Sequence, residues 1–91
     1  MRDIDLYGLI TDRADDLDGL KGPFKSYPGF FGALREEVAE VEQAIYQDDG
    51  SDADVRREMF DVLAVTFRAY RQFVAEAERN GSIEAVRVGV V

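Results

Sequence analysis

Apolar residues recur at spacings of three and four along most of this chain, a period that predicts helices rather than strands. Ile4, Tyr7, Ile10, Ala14 and Leu17 mark a first helix over roughly Ile4 to Leu20, with Gly8 inside it and Gly19 near its end. The stretch KGPFKSYPG, residues 21–29, carries glycines and prolines and reads as a loop. A second helix is predicted from near Pro28, a residue suited to a first turn, to about Gln47. Its stripe is Phe30, Leu34, Val38, Val41 and Ile45. The run DDGS, residues 48–51, breaks it, and Ser51 followed by Asp54 reads as a capping box. A third helix then runs from about Asp52 to Arg79 and stops at Asn80-Gly81. At 1.5 Å per residue it is about 40 Å long, against about 30 Å for the second.

These elements imply an all-α bundle of three main helices, one domain over residues 1–82, followed by a tail at 83–91. The valine-rich stretch SIEAVRVGVV, residues 82–91, is compatible with a short strand, an arm on a neighbour or a frayed end. The first half of the third helix is apolar on almost every side, and one short and one medium helix cannot cover it. A homodimer or homotetramer is therefore expected to complete the bundle.

Composition narrows the chemistry. With 91 residues, 46% of them hydrophobic and 33% charged, the chain is expected to be one small soluble domain. It has neither cysteine nor histidine, which removes the thiol nucleophile and the commonest general base, and leaves only oxygen ligands for a metal. A formal net charge of −8 argues against a nucleic-acid backbone or an anionic membrane as the main partner. No apolar run approaches the roughly 18 residues of a membrane span, and the start MRDIDLYGLI is too polar for a secretory signal. The expected location is the cytoplasm.

Four carboxylates interrupt the apolar pattern. On a wheel centred on Leu34, Glu37 and Glu40 fall at about −60° and −120°, on one edge of the buried face, while Glu36 lies nearly opposite the core. On a wheel centred on Met59, Glu58 and Asp61 fall at about −100° and −160°, beside Val65. Each pair is spaced i, i+3, so its two carboxylates stand side by side. Antiparallel helices joined by a short turn bring such pairs face to face, where they repel unless a hard divalent ion sits between them. The bland alternatives are solvated acids, Glu37 paired with a cation on the first helix, or Asp61 held by Arg57 or Arg68.

The pattern EEVAE, seventeen residues (41–57), then EMFD resembles the EExxE…ExxD signature of MazG-like nucleotide pyrophosphohydrolases, over roughly Lys21 to Phe73. That resemblance implies Mg²⁺ (with Mn²⁺ as a substitute) held by Glu37, Glu40, Glu58 and Asp61, with Glu36 positioning water. It implies hydrolysis of a nucleoside triphosphate to the monophosphate and pyrophosphate. An anionic substrate needs local cations, for which Lys21, Lys25, Arg68 and Arg71 are the candidates, while Phe24, Tyr27 and Phe30 are candidates to stack on a base or to pack the core. Many MazG-like domains add a further helix ending in a basic segment; this chain has Asn80-Gly81 and the valine-rich tail instead. The competing expectations are a helical interaction module that binds a basic partner and a nucleotide sensor without turnover.

Overall fold

A computed structural model describes residues 1–47 and 50–81. Asp48, Asp49 and residues 82–91, which include the tail and its three alternative readings, lie outside the described residues. The described residues form three α-helices and no strand: α1 (Asp3–Lys21), α2 (Tyr27–Tyr46) and α3 (Asp52–Arg79). None of them is long and apolar enough to cross a membrane.

Local chemistry sets the ends. Ser51 caps α3, its hydroxyl accepting from the Asp54 amide at 3.2 Å while the Asp54 carboxylate accepts from the Ser51 amide at 3.3 Å. α2 begins one residue before Pro28, capped by Ser26, whose hydroxyl accepts from the Gly29 amide at 3.1 Å. α1 ends where Gly22 turns to φ 72°, and the Gly22 amide donates back to the Asp18 carbonyl at 2.9 Å.

α3 is the central helix, and α1 and α2 each pack on it rather than on one another. α2 and α3 form an antiparallel hairpin. Near the turn Glu40 approaches Glu58, and at the far end Phe30 and Tyr27 meet Phe73, with ring centroids 6.5 and 4.5 Å apart. The core is small: Ala14 and Leu17 of α1, Ala44 of α2, and Ala64, Val65 and Ala69 of α3. Four of the six are alanines, so the helices approach closely but bury little apolar area per residue.

This core corrects the faces that the apolar stripes imply. α3 turns Ala64, Val65, Arg68 and Ala69 inward, nearly opposite Met59, which is 52% exposed. α2 turns Ala33, Glu37 and Ala44 toward its neighbours and leaves Val38 and Ile45 each 49% exposed. Small side chains permit close contact, so the alanine edge wins over the bulkier stripe. In α1, Ala14 and Leu17 are buried as the period suggests, but Ile4 and Tyr7 are exposed; the Tyr7 ring makes an edge contact with Phe67.

Candidate metal centre

The α2–α3 hairpin brings the four sequence-derived carboxylates together. One oxygen from each of Glu37, Glu40, Glu58 and Asp61 lies within 4.8 Å of the others. Oxygens on opposite sides of a bound Mg²⁺ stand about 4.2 Å apart, and those around Ca²⁺ nearly 5 Å apart. The cluster therefore has the dimensions of one hard-cation site, needing only tenths of an ångström of side-chain motion. Glu37, Glu58 and Asp61 are half-buried and Glu40 is exposed, so the group sits at the margin of the interior.

Electrostatics agree with the geometry. Burial, then the charges of Glu40 and Asp61, raise the Glu37 carboxyl above its ordinary value, and Lys21 partly opposes them. Glu58 is raised by desolvation, by a hydrogen-bonding approach of Glu40 and by the charges of Glu40 and Asp61, with Arg57 acting against these. Glu37 Oε2 is buried without a hydrogen-bond partner, an arrangement that is costly unless something else satisfies the oxygen. Two cations stand at the flanks, Arg13 at 3.9 Å from Asp61 and Arg57 at 3.8 Å from Glu58. Both contacts are long for ion pairs, and they leave the mutual repulsion of the four acids largely in place. A cluster of this kind can bind a divalent metal.

Between α1 and α2, above α3, a cleft of about 180 Å³ opens beside the acids. Glu36, Glu37 and Asp61 line one side, and Arg13, Lys21 and Arg68 contribute cations. Glu36, expected nearly opposite the core, thus borders the cleft while remaining exposed. Lys21 is also exposed and lines it; Lys25 is exposed and is not among the lining residues.

Arg68 and Arg71 are committed to the protein itself. Arg68 is 3% exposed; it donates to the Gly22 carbonyl at 2.9 Å, pairs with Asp18 at 3.2 Å and stacks 4.0 Å from the centre of the Phe24 ring. Its Nε is buried without a partner. Arg71 pairs with Asp15 and Asp18, each at 2.9 Å, and these two acids hold its guanidinium charged against the cost of burial. Gln72 completes the anchor, with its amide oxygen accepting from the Phe24 amide at 2.8 Å and its Nε2 donating to the Phe24 carbonyl at 2.7 Å. These contacts fix the loop between α1 and α2 as a wall of the cleft. Phe24, in this wall, packs edge to face on Phe30 of α2, with the ring centroids 5.8 Å apart.

Arg13 and Asp18 join the site without a motif of their own in the sequence. Arg13 sits one turn before the buried Leu17, so its position beside the apolar stripe was visible. Asp15 and Asp18 repeat the i, i+3 spacing of Arg68 and Arg71, a complementary pattern across 50 residues that helix periodicity alone does not pair. Comparison of the chain with family models, with curated proteins and with solved structures finds no match.

Proposed function

We propose that this chain is a Mg²⁺-dependent nucleoside triphosphate pyrophosphohydrolase of the cytoplasm, working as a homodimer or homotetramer. One observation carries the reading: four carboxylates from two helices converge within 4.8 Å, and one of their oxygens is buried without a partner. The EExxE…ExxD spacing that resembles MazG-like enzymes adds the reaction and the substrate class. The absence of cysteine and histidine fits a hydrolysis that needs no protein nucleophile.

When bound, Mg²⁺ supplies charge that shields a polyphosphate and makes water more acidic. Glu37, Glu40, Glu58 and Asp61 would hold it. Glu36, exposed at the rim of the cleft, would orient the attacking water and take its proton as the new P–O bond forms. The bridging oxygen would leave with pyrophosphate, so that triphosphate and water give monophosphate, pyrophosphate and a proton. Lys21 and Arg13 border the space next to the acids and would offset the charge of the phosphates. Arg68 would act indirectly, by holding the loop that carries Phe24.

A panel of canonical and modified nucleoside triphosphates with Mg²⁺, scored for pyrophosphate release, tests the reading. Glu40→Gln and Asp61→Asn should each abolish release while leaving helical content unchanged. Folded protein that cleaves none of the panel removes the enzymatic claim. A second reading, binding of metal and nucleotide without turnover, is favoured by the commitment of Arg68 and Arg71 to Asp15 and Asp18, which leaves few cations for a triphosphate. Saturable nucleotide binding with no product separates it from the first.

A further inference from the structure

Leu34, Val38, Val41 and Ile45 follow one another at spacings of four, three and four, the pattern of a coiled-coil seam. α2 uses its Ala33–Glu37–Ala44 side to meet the rest of the chain, which leaves Val38 and Ile45 of this seam each 49% exposed and Leu34 and Val41 half-buried. α3 presents Met59 and Leu63, 52% and 53% exposed, on the same side of the hairpin. Together with Val62 they line a groove of about 290 Å³ shared with Val38 and Val41. The groove has no charged lining residue.

Charge appears at the outer rim of the seam, where Arg35 and Glu42 stand seven residues apart on one edge of α2. Among the described residues neither forms an ion pair within the chain. Arg35 lies instead 5.9 Å from the centre of the exposed Phe31 ring. In heptad terms both follow a core position by one residue, and such positions set partner and orientation in helical pairs.

We propose that this face binds a second copy of the chain through an antiparallel two-fold contact of α2 with α2. Leu34 then meets the partner's Ile45, and Val38 meets the partner's Val41. The same operation sets Arg35 beside the partner's Glu42 and Glu42 beside the partner's Arg35, so the dimer gains two ion pairs and each rim charge is neutralised once. A parallel arrangement puts them on opposite flanks of the seam and forms neither pair. A uniformly basic or uniformly acidic partner would meet one like charge on this rim, whereas a second copy offers an opposite charge to both. With α3 contributing Met59 and Leu63 beside α2, the hairpin face is about 30 Å long and about 18 Å wide, and pairing it with its copy buries roughly 1,000 Å² in total, the threshold for a specific interface. The surface takes from the proposed function only the association of copies, and no metal chemistry enters its test.

The test is sedimentation equilibrium of the full chain over a concentration series, with circular dichroism to verify helicity. Wild type should dimerise. Arg35→Glu and Glu42→Arg should each weaken the dimer by about tenfold, and the two combined should return it to within about threefold of wild type. Within one chain these residues are about 10.5 Å apart along the helix, too far to pair, so rescue reports a contact between copies. A monomer at every concentration overturns the proposal. So does a dimer indifferent to both substitutions, or one weakened by each with no rescue in the double variant. Metal binding and pyrophosphate release, measured on the same proteins, judge the metal centre separately.

Discussion

Replacing Glu37 by Gln should change stability in opposite directions with and without a divalent ion. Glu37 faces Glu40 and Asp61 within 4.8 Å, and both charges, after burial, raise its pKa. At that separation a pair of unit charges repels by about 1 kcal/mol in water and about 3.5 kcal/mol at an effective dielectric constant of 20. Solvent reaches much of the cluster and partial protonation relieves some of the repulsion, so the low end applies, about 1 kcal/mol. The amide also donates hydrogen bonds, which the neighbouring carboxylates can accept. In EDTA near neutral pH, Glu37→Gln should therefore melt higher than wild type, by about 4–8 °C for a domain of this size. With Mg²⁺ at 100 times its dissociation constant, wild type should gain about 2.7 kcal/mol, and the variant should gain far less. Thermal unfolding by circular dichroism at fixed protein concentration reads both numbers. A variant less stable than wild type in EDTA, or one that keeps the full Mg²⁺ shift, would refute the reasoning.

Other consequences concern pH and the scaffold. Glu37 and Glu58 both have folded-state pKa values raised above 4.5. Their contribution is fully present below that value and is lost as pH rises through the raised values, so metal-free protein should lose stability over that window while Mg²⁺ affinity grows; pH-dependent melting in EDTA and in Mg²⁺ reads the two slopes. Arg68→Ala removes the ties to Asp18, Gly22 and Phe24 and should cost about 2–4 kcal/mol, measured by urea unfolding. Gln72→Ala leaves the Phe24 amide and carbonyl without their side-chain partner and should cost about 1–2 kcal/mol, with faster hydrogen exchange at the Phe24 amide. Ser51→Ala breaks the cap of α3 and should cost about 1 kcal/mol in the same unfolding assay.

Much of the helical order was legible because its signals are local. The period of three and four, the Ser51–Asp54 box and the stop at Asn80-Gly81 each act within a turn or two of chain. The convergence of Glu37, Glu40, Glu58 and Asp61 was legible for a related reason, since two i, i+3 pairs joined by a short turn have few ways to face one another. The choice of buried face was not. Two of the three helices carry more than one apolar side, and only the three-dimensional packing decides that Ala44, Ala64 and Ala69 go inward while Val38, Met59 and Leu63 stay at the surface. The roles of Arg68 and Arg71 were hidden likewise, because their partners Asp15 and Asp18 lie some 50 residues away and nothing local links the two pairs.

The central claim is that four side chains of α2 and α3 share one divalent ion. Anomalous diffraction from crystals soaked in Mn²⁺ tests it most directly. A single strong peak should lie between the carboxylates of Glu37, Glu40, Glu58 and Asp61, with each contributing an oxygen at about 2.2 Å. Crystals that take up Mn²⁺ elsewhere, or leave these four acids with water alone between them, would contradict it.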